Sequence, residues 1–353
     1  MSVKLAIAPG TLIEGGGVLN KKLLSHFRLF GKSGVIIGEK YILDKFSKEL
    51  RPILSRNIYK LYFNCECSAP EIKRLTNAAM KYKPGFIIGI GGGKAIDTAK
   101  ASAFYLNVPV ITIPTSAATC AASSALSSIY YPSGIASHYL LLDKSPEIVI
   151  IDYKLIASAP AYMFSSGMAD ALAKYYESFA YTGGRAKNIY ETTALRTAET
   201  IYDAIFKIGT GAYRDLKRGI ISDRFKQIVR INVVLASLVG GIGGEGCRAC
   251  VSHAVNNGFT RKPEMRKFLH GEIVGFGNLV QLILENKKKE LNKLTGLYKK
   301  LSLPYSLSCF GETFEKRELK KIIKYMCSPK ETVKNMQGKV SEKDIAKALQ
   351  TLL

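Results

Sequence analysis

Residues 89–97, with the sequence GIGGGKAID, decide the fold. The apolar run 86–90 predicts a buried strand that enters this stretch, and residues 94–106 predict a helix that leaves it. The three adjacent glycines therefore lie in a strand–helix turn, where the backbone can pass close to a bulky anion and a helix N-terminus offers free N–H groups. The spacing matches neither a P-loop nor the common GxGxxG turn. The turn predicts a phosphate-binding site, and a tight turn without a ligand is the alternative.

Short apolar runs alternate with helical periodicity on both sides of this turn. The runs lie at 34–38, 58–63, 86–90, 108–113 and 148–151. Continuously apolar strands separated by helices are typical of a mostly parallel sheet that is covered on both faces. From about Ala161 onward the periodicity is helical throughout. We therefore predict an α/β dinucleotide-binding domain over 1–155, followed by an all-α domain over 156–353.

The composition limits the classes of function. The chain has 353 residues, a net charge of +23, 47% hydrophobic and 22% charged residues, which excludes a disordered chain. Many lysines near the C-terminus alternate with leucines at helical spacing, so they predict solvated helix faces, and a basic nucleic-acid-binding scaffold remains as the non-enzyme alternative. We expect no membrane span. Seven cysteines and a start without a secretion signal predict reduced thiols in the cytoplasm.

Three residues on separate helical stretches are candidate metal ligands. His253 and His270 are two of only four histidines, and Asp170 lies near the start of another helix. A carboxylate and two imidazoles suit a divalent metal with one open position. The separations are too large for spacing alone to show that they meet, and each histidine alone is more often structural. Cys247 and Cys250 form a CxxC near His253, but no second CxxC completes a structural zinc site.

Polar residues follow two of the predicted strands. Glu39 comes directly after strand 34–38, where an acid can accept a hydrogen bond from a ribose 2′-hydroxyl or remain solvated. The sequence PTSAATC, residues 114–120, follows strand 108–113. Parallel sheets bind ligands at the carboxyl ends of their strands, so these hydroxyls are candidate ligand contacts, and a hydroxyl-rich loop is the alternative.

Taken together and in order, the motifs resemble the glycerol dehydrogenases of the iron-containing alcohol dehydrogenase superfamily, which share their fold with dehydroquinate synthase. The resemblance runs from about residue 5 to the C-terminus and is carried by GIGGGKAIDTAK, PTSAATC, SALSSIYY, SGMADALAKYYES, SHAVNNGF and FLHGE. It implies a dehydroquinate synthase-like fold, NAD and a catalytic zinc (iron or nickel in relatives). It also implies a small-molecule substrate of the glycerol and dihydroxyacetone type and a homo-oligomer, either dimer or octamer.

The resemblance also implies roles for individual residues. The metal would be held by Asp170, His253 and His270. The cofactor's pyrophosphate and nicotinamide side would be held by Gly91, Gly92, Gly93, Lys94 and Asp97. Thr115, Thr119 and Leu126 would line the cofactor, with Ser124 and Tyr130 nearby, and Glu39 would favour NAD over NADP.

Two residues of the implied active site bear on the substrate. Cys120 stands where glycerol dehydrogenases have an aspartate that contacts the polyol, so a charged acceptor is lost. Lys174 lies one helical turn after Asp170 and either pairs with a carboxylate or phosphate of the substrate or points to solvent. A 2-oxo-acid/2-hydroxy-acid dehydrogenase and a glycerol-1-phosphate dehydrogenase of the same fold are therefore the alternative activities.

Overall fold

The structure, a computed structural model, describes residues 6–54 and 57–353. It contains two compact units, the first ending at Pro160 and the second spanning Ala161–Leu353. The boundary expected from the sequence, after residue 155, falls inside the short helix Tyr153–Ala157. The predicted fold class, α/β followed by all-α, is confirmed.

The first unit is built on parallel strands. Its strands are β1 (Thr11–Gly15), β2 (Gly34–Gly38), β3 (Ile58–Tyr62), β4 (Phe86–Gly91), β5 (Val110–Pro114), β6 (Leu126–Tyr130), β7 (Ala136–Leu141) and β8 (Ile148–Asp152). Its helices are α1 (Leu23–Arg28), α2 (Lys40–Lys45), α3 (Ser47–Leu50), α4 (Ala69–Met80), α5 (Gly93–Leu106) and α6 (Tyr153–Ala157). Six strands form one parallel sheet in the order β1-β8-β5-β4-β2-β3.

Alternate residues of the central strands enter two separate cores. On β2, Ile36 packs with the helices α1 to α3, whereas Val35 and Ile37 pack with α4 and α5 on the other face. Both faces are therefore buried, and β2, β4, β5 and β8 are buried along their whole length. This explains why these four strands have continuous rather than alternating apolar sequences.

Two elements of this unit were not predicted. Strand β1 pairs with β8 at the edge of the sheet, and its half-exposed sequence, TLIEG, gives no continuous apolar run. Strands β6 and β7 form an antiparallel hairpin in a stretch where the sequence analysis predicted no strand. The two buried side chains of β6 belong to Ser127 and Ile129. Because one of them is polar, the sequence of β6 does not show the alternation of apolar and polar residues that is typical of a strand.

The second unit is helical. Its α-helices are α7 (Ala161–Thr182), α8 (Ile189–Ala204), α9 (Thr210–Lys217), α10 (Asp223–Arg230), α11 (Ala236–Gly243), α12 (Val251–Phe259), α13 (His270–Leu284), α14 (Lys288–Leu301), α15 (Lys316–Met326) and α16 (Glu342–Thr351). Short π-helical segments at Ile205–Gly209 and Ile231–Leu235 join α8 to α9 and α10 to α11. Four 3₁₀ turns lie at Glu245–Cys247, Pro263–Lys267, Leu307–Phe310 and Thr332–Asn335.

Glycines allow helix α13 to approach its two main neighbours closely. A Cβ at Gly271 would lie 2.1 Å from the carbonyl oxygen of Ser166 on α7, and one at Gly277 would lie 2.6 Å from that of Ser252 on α12. A real side chain cannot occupy either position without moving a helix. Helices α7, α12 and α13 therefore meet at backbone contact distance, and these three helices carry the candidate metal ligands.

One stretch of the described chain, Asp223–Gly243, is long and apolar enough to cross a membrane. It comprises α10, a π-helical segment and α11, and 61% of its most apolar window is buried within the protein. A core helix passes the same test of length and composition, and α10 begins with a solvated polar turn capped by Ser222.

Candidate active site

The structure brings Asp170, His253 and His270 together. One ligand atom from each lies within 4.8 Å of the other two, although the residues come from three different helices. Asp170 Oδ1 is 3.7 Å from Nε2 of His253 and 3.7 Å from Nε2 of His270. The three atoms thus face a common point, as the ligands of a single divalent ion do.

The hydrogen bonding of these residues fits a metal. The buried Asp170 Oδ1 receives no hydrogen bond from any described residue, although a buried carboxylate oxygen is costly to leave without a partner. Burial lowers the pKa of His270 to about 4, although Asp170 acts in the opposite direction. The imidazole of His270 is therefore neutral near pH 7, with a lone pair available for a metal.

Glu177 orients His253 and was not predicted from the sequence. Its side chain is completely buried, and Oε2 accepts a hydrogen bond from His253 Nδ1 at 2.6 Å. Oε1 accepts the backbone N–H groups of Cys250 at 2.7 Å and His253 at 3.0 Å. Burial alone would raise the pKa of Glu177, but His253, Lys174 and these hydrogen bonds outweigh it and hold the pKa below its usual range. A carboxylate on Nδ1 leaves the Nε2 lone pair free for a metal.

Lys174 points towards the ligand cluster rather than to solvent. Its side chain is buried, with 7% of the residue exposed. The Nζ atom donates to the carbonyl oxygen of Arg248 at 2.9 Å and lies 3.4 Å from His253 Nε2. Of the two orientations that the sequence allowed, the structure therefore has the inward one.

The CxxC pair does not join this cluster. Cys247 and Cys250 are both buried, and neither belongs to a potential metal-binding group among the described residues. Burial raises the pKa of Cys247 to about 11, and it raises the pKa of Cys250 as well. Both thiols are therefore protonated near pH 7, whereas a metal ion binds the deprotonated thiolate.

In the first unit, the glycine turn joins β4 directly to α5. Gly91 ends the strand with φ +137°, a conformation that favours glycine, and Gly92 occupies the N-cap of α5 without a side-chain cap. A Cβ at Gly92 would have nothing within 4 Å, whereas one at Gly93 would lie 3.1 Å from Thr119 Oγ1. The turn thus leaves open space beside an uncapped helix N-terminus, which suits a phosphate.

Lys94 lies at the first turn of α5 and is exposed. Its ammonium is 2.8 Å from Glu66 Oε2 and 4.9 Å from the centre of the Tyr130 ring. The structure therefore places Lys94 and Tyr130, both predicted cofactor contacts, next to each other. Glu66 was not predicted, because a single acid between two cysteines gives no pattern.

A buried lysine holds the loop that follows β5. Lys100 is 1% exposed, and its Nζ donates to the carbonyl oxygens of Ala121 at 2.7 Å and Ser124 at 3.1 Å. It also donates to Ser124 Oγ and to the carbonyl oxygen of Leu126. The predicted cofactor residues Ser124 and Leu126 are therefore fixed by one side chain from α5.

Asp97, predicted to contact the cofactor, is buried and engaged within the protein. Its Oδ1 is 2.9 Å from Lys100 Nζ, and its Oδ2 accepts the backbone N–H of Ser128 at 3.1 Å. These contacts tie α5 to β6 and give Asp97 a structural role. Its part in cofactor binding stays a prediction.

The loop that follows β5 lies against the glycine turn. Gly91 and Pro114 are paired in the sheet, and Thr115 N–H donates to the Gly91 carbonyl at 3.0 Å. Thr119 Oγ1 accepts the N–H of Ala121 at 3.3 Å, and the Cys120 carbonyl begins a turn by accepting from Ser123. Thr115, Thr119 and Cys120 therefore lie at the edge of the sheet where the glycines are.

Glu39 stands at the carboxyl end of the neighbouring strand β2. It occupies the N-cap of α2, and its side chain caps none of that helix's N–H groups. β2 pairs directly with β4, the strand that leads into the glycine turn. The acid therefore lies at the same edge of the sheet as the glycines, where its predicted contact with a ribose would be made.

Comparison with known proteins agrees with this geometry. The sequence profile of the iron-containing alcohol dehydrogenases matches residues 9–153. A glycerol dehydrogenase from Pseudomonas putida is 34% identical over 97% of this chain and 95% of its own length. Among solved structures, a probable glycerol dehydrogenase from Sinorhizobium meliloti superposes with a TM-score of 0.90 at 25% identity, covering 99% of this chain and 98% of its own. Glycerol dehydrogenase from Schizosaccharomyces pombe superposes with a TM-score of 0.89 at 27% identity, covering 100% and 91%.

These matches define the class of the protein as a metal-dependent, NAD-linked oxidoreductase that acts on a small molecule. The chain belongs to the iron-containing alcohol dehydrogenase family, and the similarity to glycerol dehydrogenases spans nearly its whole length. The predicted enzyme is confirmed, and the alternative of a nucleic-acid-binding scaffold without activity is set aside.

Proposed function

We propose that the protein is a zinc-dependent dehydrogenase that interconverts a small vicinal hydroxy compound of the glycerol type and the corresponding carbonyl compound, with NAD as the hydride carrier. The observation that carries this proposal is the meeting of Asp170, His253 and His270, with a buried carboxylate oxygen that no described residue satisfies. Three ligands leave a position open for a substrate oxygen, as in other catalytic sites of this kind.

Each part of the site has a task in this reaction. When bound, a divalent ion supplies Lewis acidity to a hydroxyl or carbonyl oxygen, and NAD accepts or returns the hydride. Asp170 and the two histidines hold that ion on three separate helices. Glu177 keeps the proton of His253 on Nδ1. The close packing of α12 against α13 at Gly277 holds the two histidines in position before a metal binds.

We assign cofactor binding to the edge of the first unit's sheet. Gly91, Gly92 and Gly93 would receive the pyrophosphate, with Lys94 beside them. Thr115, Thr119, Ser124, Leu126 and Tyr130 would line the cofactor. Glu39 would accept from the ribose and repel a 2′-phosphate, which supports NAD rather than NADP.

Four further assignments belong to this proposal. Zinc is the proposed metal, with Fe²⁺ and Ni²⁺ as alternatives that the same nitrogen and oxygen ligands accept. We assign the first 155 residues to cofactor binding and residues 156–353 to the metal and substrate. Free cysteines among the described residues support a cytoplasmic location. A homo-oligomer, dimer or octamer, is expected.

The test is NADH oxidation with dihydroxyacetone by the purified protein, before and after removal of metal with a chelator. We expect turnover to disappear with the metal and to return with zinc, and parallel arms with Fe²⁺ and Ni²⁺ identify the preferred ion. A colorimetric chelator measures the bound metal directly. Turnover that persists in protein shown to be free of metal would contradict the proposal.

Asp170→Asn is the matching variant, because it removes the charged ligand without changing the size of the side chain. The control is Asp203→Asn, the same change at an exposed position on α8. Asp170→Asn should lose both bound metal and turnover, while Asp203→Asn should retain both. Equal metal content in the two variants would place the metal elsewhere.

A further inference from the structure

Lys174 is a cation that lies directly against the candidate metal ligands. It extends from α7 one turn beyond Asp170, and only 7% of it is exposed. An ammonium group removed from water is costly unless acceptors surround it. Here the partners of Nζ are the carbonyl oxygen of Arg248, at 2.9 Å, and His253 Nε2, at 3.4 Å.

Metal binding would remove one of these partners. The lone pair of His253 Nε2 faces Asp170 Oδ1 and His270, and when it binds an ion it can no longer accept a hydrogen bond. The oxygens of Glu177 are already occupied by His253 and by the backbone of Cys250. Within the described structure, Lys174 then keeps one hydrogen-bond acceptor, the Arg248 carbonyl, for three N–H groups.

The net charge of the metal-loaded site also favours a negatively charged group of the substrate beside Lys174. Asp170 and Glu177 contribute two negative charges, which a divalent ion would neutralise. Lys174 then adds a positive charge that no acidic side chain of the cluster balances, in a place where charge is poorly screened. The loaded site would therefore carry a net charge of about +1, which favours a substrate with a compensating negative charge.

We propose that Lys174 receives a carboxylate on the carbon next to the reacting carbon, so that this site also accepts 2-hydroxy acids and the corresponding 2-oxo acids beside its glycerol-type substrates. The ammonium is only 3.4 Å from a ligand atom, so the anion that it binds must lie close to the reacting oxygen. A carboxylate on the adjacent carbon meets this condition, whereas a phosphate ester on that carbon places its charged oxygens two bonds farther from the reacting carbon. This inference rests on the proposed function.

The reaction balances without another reagent. In the reducing direction, the 2-oxo acid's carbonyl carbon receives a hydride from NADH and its oxygen receives a proton from solvent, giving a 2-hydroxy acid and NAD⁺. The carboxylate keeps its charge throughout. Lys174 is therefore a substrate-binding residue and transfers no proton in this proposal.

The test compares pyruvate with hydroxyacetone, which differ in having a carboxylate or a hydroxymethyl group beside the same carbonyl. In Lys174→Met, we expect the ratio of kcat/KM for pyruvate to that for hydroxyacetone to fall about 10- to 100-fold, which is the loss expected for a charge-assisted hydrogen bond. Lys174→Arg should restore part of the ratio. Lys207→Met, which removes a lysine from an exposed position of the same unit, is the control and should leave the ratio unchanged.

Equilibrium binding provides a second readout. Oxamate, an unreactive carboxylate of the same shape as pyruvate, is titrated into protein loaded with zinc and NADH. Its Kd should rise by the same factor in Lys174→Met, while zinc binding stays as tight or becomes tighter because a repelling cation is gone. Weaker zinc binding or an equal loss for both substrates would assign Lys174 a supporting role and overturn the inference.

The outcomes separate this inference from the proposed function. If the wild-type protein reduces hydroxyacetone in a chelator-sensitive manner but neither reduces pyruvate nor binds oxamate, only the inference fails. If it reduces neither compound nor dihydroxyacetone, the proposed function fails. Oxamate binding that depends on Lys174 would still support the anion site in that case.

Discussion

Replacing Glu177 with glutamine tests whether the ligand geometry depends on this single buried acid. In the wild-type structure, Oε1 accepts two backbone N–H groups and Oε2 accepts His253 Nδ1–H. In Glu177→Gln the amide oxygen can still serve the backbone, which leaves the NH₂ group facing Nδ1. A donor facing Nδ1 favours the tautomer with its proton on Nε2, the atom that would bind the metal.

The size of the effect follows from these contacts. One hydrogen bond to a charged group is lost, which costs about 1.5–3 kcal/mol, while the two backbone hydrogen bonds survive. Metal binding must in addition displace a proton from Nε2. Loss of such a supporting residue typically weakens metal affinity by about 10- to 100-fold, and we expect Glu177→Gln to fall in this range.

The assay is competition for zinc with a chromophoric chelator, together with urea unfolding of the metal-free protein. Glu290→Gln is the matched control, because Glu290 also accepts hydrogen bonds within this unit, from Tyr176 and Tyr202, but lies outside the ligand cluster. Its zinc affinity should equal that of the wild type. A zinc Kd for Glu177→Gln within twofold of the wild-type value would refute the orienting role of Glu177.

Four further predictions concern the first unit and the stability of the second. Gly92→Ala should lower the melting temperature only slightly, because its Cβ meets no protein atom and alanine is merely a poorer N-cap residue. It should weaken NADH binding about tenfold by fluorescence titration, since the Cβ enters the space left for the phosphate. Gly91→Ala, at φ +137°, should instead destabilise the fold by about 1–3 kcal/mol. Lys100→Met should lower the free energy of unfolding by about 3–5 kcal/mol, because it leaves Asp97 buried without its cation, and a loss below about 1 kcal/mol would contradict this. Hydrogen bonds from Arg224 and Ser222 lower the pKa of Asp215 to about 2 from 3.8, so its contribution to stability is present above pH 3.8 and is lost as the pH falls through about 2. Asp215→Asn should therefore flatten the decline in urea stability between pH 4 and pH 2.

The sequence predicts the parts of the fold in which local pattern and burial agree. Strands β2, β4, β5 and β8 are buried on both faces, so their apolar runs are continuous and easily recognised. Strand β1 is an edge strand, and the hairpin of β6 and β7 is rich in serine, so neither has such a run. The position of β1 also depends on pairing with the distant strand β8, which local patterns do not encode.

The three metal ligands are predicted from the order of the family's motifs and not from the number of residues between them. His253 lies 83 residues after Asp170 in sequence, and only the packing of α7, α12 and α13 shows that their side chains meet. Glu177 could have been found by its position, because it lies seven residues after Asp170 and therefore two turns along the same face of α7. Lys100 is a similar case, because it lies three residues after Asp97 and therefore one turn along the same face of α5.

The buried polar cluster of the second unit lowers the stability of the metal-free protein. Asp170, Glu177, Lys174 and His253 are buried in the helical unit, where apolar side chains would contribute more to folding. Asp170 Oδ1 in particular has no hydrogen bond from a described residue, so the metal-free protein bears a cost that a bound ion would remove. Binding to the folded state alone adds stability in proportion to the logarithm of ion concentration over Kd. Buried polar side chains that reduce stability are expected at functional sites. In this unit, the buried polar side chains include the candidate metal ligands.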